Sequence, residues 1–588
     1  MTKAQGEYVG VVLFAKRVCL AGTTCFLVGC AAIEFSRDPV IPDITVLPKT
    51  DTVEHVSPPP LPSPPQVVPV ENVPGDALNL TVEGAIVMAL QNNKALMVQE
   101  INPAIQDTFV KEQRAVFDPV LSASYLETRD EFERDLLIRT PVTFPDGQGG
   151  VVSLGEIWQP VTTEVKTKSE TGDVAITERL PTGTDITLGM TKDRSEVRNK
   201  STNPNQVYGT DLDTDTSSLD LTVRQQLLRG GGLGVNLANL RQARLAALSS
   251  DYELRGFTED LVSQVEQTYW NCVTAQRQIK IFEDSLVVAQ NQAAEIEERI
   301  SIGQLAESER AAADAEVAQR RSSLIDARSN YETLRIALLR LLNPHGDTLR
   351  PVELNLLSDP ILSPVELSDV EAAILVAQRL RPDLNQARLQ IQQDELEVVQ
   401  TRNGLLPQLD VFLTLSKSVN KTHYSELFLV STQNDRDEQT TTQIGADFSY
   451  PIGNRAARAA HTRSKLSRTG NMRALANLAQ LVEQDIRTAY IEVERSRQQI
   501  DATTATRTLQ ETTLEVEIEK FRLGRSTVLL VSQAQRDLLS AQIAEVEARA
   551  AYLNALVNLY RLEGSLLERR GVIAPGKEPV VLENEHAA

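Results

Sequence analysis

The chain has 588 residues, 24% of them charged and 4% aromatic, with a formal net charge of -21. That acid excess excludes nucleic acid as a partner, because phosphate contact needs a basic surface. No run of about 18 uncharged apolar residues occurs, so a membrane-spanning helix is excluded and any insertion must use β-strands.

In chain order, Lys16-Arg17 precede an apolar run from Val18 to Gly29. That run has the length of a signal h-region and is too short to span. It ends in Leu27-Val28-Gly29-Cys30, which resembles the bacterial lipobox. By that resemblance residues 1–30 are a leader, Cys30 is acylated, and Ala31 in place of Asp implies outer-membrane delivery. Ordinary cleavage after Gly29-Cys30-Ala31 is the alternative. Residues 31–76 read as a tether, since Pro58 to Pro65 holds six prolines and favours extended polyproline II. Cys19, Cys25 and Cys30 lie near the N-terminus and Cys272 stands alone, which makes no disulfide framework.

A duplication organises the rest. Val82-Glu83-Gly84-Ala85-Ile86 returns as Val370-Glu371-Ala372-Ala373-Ile374, an offset of 288 that holds through Leu96/Leu384, Arg114/Arg402 and Leu121/Leu409. Repeat 1 covers 77–343 and repeat 2 covers 367–570, with a linker at 344–366 and a polar tail at 571–588. Each copy runs helix, strand pair, long helical stretch.

Short alternating segments predict strands near Pro119–Glu127, Ser217–Gln226, Leu409–Ser416 and Ile444–Tyr450. Phe412 interrupts the polar side of its segment. Val174–Arg179 and Asp185–Met190 flank the turn Pro181-Thr182-Gly183-Thr184. This extra pair is either an outer hairpin on an extended loop or two more barrel strands, and the outer hairpin is preferred. If the helices flanking a strand set lie on one side of a membrane, the strands between them are even in number. Four strands cannot close a barrel, so several chains contribute, and three chains give twelve.

No proline lies between Pro204 and Pro344 or between Pro451 and Pro575. Within these blocks Val265, Tyr269, Cys272, Gln276 and Ile279 step by four and three, as do Leu539, Ile543, Val546, Ala550, Leu553 and Val557. That is heptad packing. Gly303 and Gly524 occupy matching places and read as turns of helical hairpins. The first long helix, about Val235 to Ile302, would measure roughly 100 Å.

The pattern Leu80-Thr81-Val82-Glu83-Gly84-Ala85-Ile86 and its degraded copy from Leu367 resemble TolC-type outer-membrane efflux proteins, here of the lipoprotein kind. Further matches are Phe117-Asp118-Pro119, Leu405-Leu406-Pro407, Gln225-Gln226-Leu227-Leu228-Arg229-Gly230 and Ser449-Tyr450-Pro451-Ile452-Gly453. The resemblance covers about residues 77 to 570. It implies an α+β membrane protein: a trimeric 12-stranded outer-membrane β-barrel continued by a periplasmic α-helical coiled-coil barrel. The homotrimer would dock a periplasmic adaptor and an inner-membrane RND or ABC transporter, and conduct drugs, metals or proteins outward for efflux or type I secretion.

By the same resemblance the turns at Gly303 and Gly524 form the closed periplasmic end and the adaptor contact. The family's acidic positions there are taken by Leu530 and Gln533, so a cation-binding aspartate ring is not expected. Glu307, Glu309 and Arg310 follow the first turn, and Arg522 and Arg525 flank the second. Glu309 would pair with Arg522 or Arg525 of a neighbouring hairpin and hold the end shut; a solvated helix surface is the alternative.

Two other readings fit the residues less well. A structural coiled-coil spacer or adhesin fits the heptads but not the strands. An enzyme is not supported: the five histidines have no metal-ligand spacing, and Gly230-Gly231-Gly232-Leu233-Gly234 lacks the Lys-Ser/Thr of a phosphate loop and reads as a strand-to-helix turn. Trp158 falls in an expected outer loop and Trp270 beside the heptad seam. No cofactor is expected.

Overall fold

The computed structural model describes residues 77–145, 147, 150–201, 209–344, 352–359, 367, 369–426 and 435–582. Leader, lipobox cysteine and proline-rich tether lie outside the described residues.

Repeat 1 begins with strand β1 (Ala77–Leu80) and helices α1 (Val82–Asn92), α2 (Lys94–Gln99) and α3 (Ile101–Ala115). Thr81 caps α1 by accepting from the Gly84 amide at 3.1 Å. Strands β2 (Val120–Pro145), β3 (Val151–Leu180), β4 (Thr184–Ser201) and β5 (Gly209–Gln226) follow. Then come the long helix α4 (Ala238–Ser301) and its partner α5 (Ser308–Leu342). Repeat 2 has α6 (Val370–Leu380), α7 (Pro382–Asn403), β7 (Gln408–Glu426), β8 (Asp435–Ser449), α8 (Arg455–Arg522) and α9 (Val528–Leu562). Between the repeats, β6 (Glu353–Leu356) pairs parallel with β1, Ala77 opposite Glu353.

The duplication holds in packing. Ala85, Ile86, Ala89 and Leu96 are buried in one core, and Ala373, Ile374, Ala377 and Leu384, each 288 residues later, are buried in another. The first core adds Tyr269 and Cys272 of α4 with Leu338 and Leu342 of α5. Burying each such leucine stabilises by about 1.5–3 kcal/mol. Tyr269 ties this core to the small sheet, donating to the Leu80 carbonyl at 2.9 Å and accepting from the Ser358 amide at 3.0 Å. The second core joins α6 to Val482, Ile486 and Val493 of α8 and Tyr552, Leu556 and Leu559 of α9. Residues 571–582 are held to this body: the Val580 amide donates to Asn385 at 2.9 Å, and Tyr252 donates to the Glu578 carbonyl.

The strands depart from expectation. All six lie in one antiparallel sheet of order β2-β3-β4-β5-β7-β8. The chain therefore supplies six strands to it, not four, and repeat 1 crosses its length four times. The preferred outer hairpin at 174–190 is corrected. Its turn lies at the helix end, where the Gln226 amide donates to the Gly183 carbonyl at 3.0 Å and the Gly232 amide to the Thr182 carbonyl at 3.2 Å. Asn236 donates to the Gly230 carbonyl at 2.7 Å and closes that junction. Trp158, expected in a loop, is in β3, with Arg139 stacked 4.8 Å above its ring.

Candidate functional site

Two regions bear on function: the two faces of the sheet and the tips of the helical hairpins. Register places residues of neighbouring strands on common faces. One row reads Leu121, Ile176, Leu188, Leu221, Leu415, crossing β2, β3, β4, β5 and β7. The next row reads Ala123, Val174, Met190, Leu219, and another reads Ile186, Val223, Leu413, Ile444. This face is apolar yet exposed in the single chain, Leu121 at 69% and Ile444 at 77%. An apolar surface of that extent marks a membrane or protein contact.

The opposite face is polar. Thr177, Thr187, Thr222 and Thr414 form one row across β3, β4, β5 and β7. Their hydroxyls pair, Thr177 with Thr187 at 3.3 Å and Thr222 with Thr414 at 3.1 Å. Nearer the helices, Arg224 donates to Asp447 at 2.8 Å and lies 3.5 Å from Asp410. Phe412, which interrupts the alternation, stands on this polar face between two accommodating neighbours. Gly445 opposite it leaves room for the ring, and the Arg224 guanidinium lies 5.2 Å from its centroid.

The hairpin tips match. At the first turn Gly303 has φ +74° and the Gln304 amide donates to the Arg299 carbonyl at 2.8 Å. At the second, Gly524 has φ +70° and the Arg525 amide donates to the Lys520 carbonyl at 2.8 Å. Both are glycine-terminated helix ends. The two tips touch through Ile296 of α4, Ala313 of α5 and Val528 of α9, with Ile300 and Phe521 against them. Arg299 lies 4.8 Å above the Phe521 ring, and Arg536 of α9 bonds Glu316 of α5 at 2.8 Å. These contacts were missed in the sequence. Ile300 and Phe521 each stand three residues before the turn glycine, and that equivalence was the available clue.

Of the candidate tip residues, Arg310 is taken by Glu307 at 3.1 Å and Glu297 at 3.6 Å, and Arg522 by Glu519 at 3.4 Å. Among the described residues Glu309 and Arg525 carry no ion pair within the chain. Leu530 and Gln533 share an exposed face of α9, while Val528, Val531 and Ala534 turn inward. Exposed Ile302, Leu523 and Leu529 make the tips apolar as well.

Among the described residues no group of three or more His, Cys, Asp and Glu could hold a metal, and no helix is long and apolar enough to cross a membrane. His461 meets the Thr401 hydroxyl at 3.2 Å. Glycines 230 and 232, with φ +83° and +95°, turn strand β5 toward α4.

The chain is 25% identical over 368 residues to the pyoverdine export outer membrane protein OpmQ of Pseudomonas aeruginosa, covering 60% of this chain and 72% of that one. Its fold resembles the outer-membrane channel OprN, with TM-score 0.57 and 14% identity over 82% of this chain and 90% of that one. The open-state MtrE channel of Neisseria gonorrhoeae gives 0.55 and 16% over 83% and 90%. The CmeC channel of Campylobacter jejuni gives 0.53 and 16% over 86% and 88%. The outer membrane efflux protein model matches residues 173–344 and 374–565, more than half of the chain, and the chain thus belongs to that family, as an outer-membrane efflux duct that reaches into the periplasm.

Proposed function

We propose that three copies assemble into a passive exit duct, a homotrimer whose sheets close into one barrel in outer-membrane lipid and whose helices form a periplasmic tunnel. The observation that carries this is the two-faced sheet with open edges. One face is apolar and exposed, the other hydroxylated and charged, and among the described residues β2 and β8 have no outer neighbour. They run in opposite directions, so head-to-tail copies continue the antiparallel ladder and close a ring without edges.

The tips at Gly303 and Gly524 are the proposed contact with a periplasmic adaptor and an inner-membrane RND or ABC transporter. Glu309 and Arg525, which carry no ion pair among the described residues, would meet across neighbouring protomers and hold the tunnel closed. Leu530 and Gln533 line the constriction, apolar and polar in turn. Small-molecule efflux is favoured over protein secretion by OpmQ, a pyoverdine exporter. Acylation of Cys30, with palmitate among its chains, is supported by the tetrad that ends there. No catalysis is proposed.

Single-channel conductance in planar bilayers tests the gate. Wild-type channels are expected to open rarely, and Glu309→Ala and Arg525→Ala each to raise the open fraction. Small, unchanged conductance in both variants rejects the gate. Heat-modifiable trimers in outer-membrane fractions test the assembly, and a monomer there rejects it.

A further inference from the structure

We propose that β3 and β4 are barrel-wall strands, so that three copies close an eighteen-stranded barrel rather than twelve. The inference rests on the trimeric duct reading and extends it to the width of the pore.

The first ground is register. Residues 163–180 of β3 pair one for one with 184–201 of β4, and 184–200 of β4 pair with 209–225 of β5. A hairpin folded over the outer mouth would leave β2 or β5 without these ladders. The second ground is parity. Val174, Ile176, Ile186, Leu188 and Met190 share a face with Leu219, Leu221 and Val223 of β5. Their partners in alternation, Thr177, Thr187 and Thr191, share the polar face. A soluble hairpin outside the bilayer has no reason to repeat the lipid-facing pattern of its neighbours at the same level.

The third ground is the turn. Gly183 approaches Gly230 and Gly231 so closely that a side chain there would strike backbone. The chain reverses against the helix junction, on the side of the membrane where α3, α4, α7 and α8 meet the strands. Repeat 1 therefore leaves and re-enters that junction twice. From Leu121/Leu409 to Gly303/Gly524 the offset between copies falls from 288 to 221, so repeat 1 carries 67 extra residues there. That is enough for a full strand pair and the extension of β2 and β3 beyond β4.

Perimeters agree. Strands about 4.8 Å apart and tilted by about 40° occupy roughly 6 Å of circumference each, so eighteen give about 110 Å and twelve about 75 Å. The four helices meeting the sheet in each chain give twelve in a trimer, and at about 8–10 Å each they span roughly 100–120 Å. Six strands over four helices let wall and tunnel meet at one width. The lumen would have about twice the cross-section of a twelve-stranded one. It would be lined at one level by threonine hydroxyls and, nearer the helices, by Arg224 and Asp447, which suits bulky polar solutes.

Cysteine scanning in the full-length protein in vesicles tests this. Leu188→Cys on β4 is expected to resist a charged aqueous maleimide, and Thr187→Cys to react on the order of tenfold or more faster. Leu221→Cys on β5 is the control for the duct itself. If Leu221→Cys is protected while Leu188→Cys reacts as fast as Thr187→Cys, the eighteen-stranded wall is wrong and the duct reading stands. If both leucine positions react freely, the membrane barrel itself fails, and the proposal with it. Electron cryomicroscopy of the unmodified protein in nanodiscs counts strands directly: eighteen supports the proposal, and twelve overturns it.

Discussion

Arg570 grips Glu266 with both ends of its guanidinium, Nε to Oε1 at 2.7 Å and Nη2 to Oε2 at 2.6 Å, where Glu266 is wholly buried. The pair fastens the segment after α9 to the middle of α4. Burial pushes the Glu266 carboxyl above its usual range, and Arg570 opposes that push. Removing one partner strands the other charge in the core. Arg570→Ala is expected to destabilise by about 3–5 kcal/mol, and Glu266→Met with Arg570→Met to recover most of the loss. Urea unfolding of the three proteins checks this; equal losses in single and double variants would falsify the pairing argument.

Glu259 predicts a pH dependence. Burial pushes its carboxyl up to about 8 from 4.5, against the opposing charge of Arg255. Arg255 lies 3.3 Å away but also serves Glu568. In this window the folded state holds a proton that the unfolded chain releases. Stability from this group is complete below about 4.5 and is lost as pH rises toward about 8. The loss is on the order of several kcal/mol. Glu259→Gln is expected to remove the decline. An identical slope in the variant, measured by thermal unfolding from pH 5 to 9, rejects the assignment.

The turn glycines are required by backbone angle, not by crowding, since nothing lies within 4 Å of a β-carbon placed at either. Gly303→Ala and Gly524→Ala are each expected to cost about 1 kcal/mol or slightly more. Asn, which tolerates the left-handed region, costs less at both. Equal losses for Ala and Asn in denaturant titrations contradict the conformational argument.

Phe412 and Gly445 form a coupled pair. A methyl at Gly445 collides with the Phe412 ring and drives it from Arg224. Gly445→Ala is expected to lower the temperature at which the proposed trimer dissociates on gels. Adding Phe412→Ala restores part of it, a coupling on the order of 1 kcal/mol. Additive losses place the ring elsewhere.

Cys272 is fully buried, and burial pushes its thiol up to about 12. Maleimide at pH 7 is expected to leave the folded mature protein unlabelled. In denaturant it takes one label per chain if Cys30 is acylated. Rapid labelling of the folded protein contradicts the burial of Cys272, and two labels after denaturation contradict acylation.

Much of this was readable in the sequence. Val265, Tyr269 and Cys272 announced α4 because heptad spacing persists over many turns, and the turn glycines recur at equivalent sites. The conserved offset from Ala85 to Ala373 marked both cores. Less readable were features set by distant partners. Pro181 to Thr184 says that the chain reverses but not on which side of the sheet. Only the bonds from Gln226 and Gly232 decide that. The outer part of β2, with Arg129, Asp130, Glu131, Glu133 and Arg134, shows no two-residue alternation because charged residues fall on both of its faces there. The tip contact of Arg299 with Phe521 joins residues more than two hundred positions apart, a juxtaposition no local pattern encodes.

The turn at Gly183 has a consequence for how such ducts diversify. An inserted segment that began at the helix junction and ended in the outer mouth would leave α4 on the wrong side of the bilayer. Only an insertion that comes home, as β3 and β4 do, keeps every downstream helix where it was. In the proposed threefold assembly bore size would then be a quantised trait: it would change by two staves per chain, six per ring, with no intermediate calibre open to gradual drift.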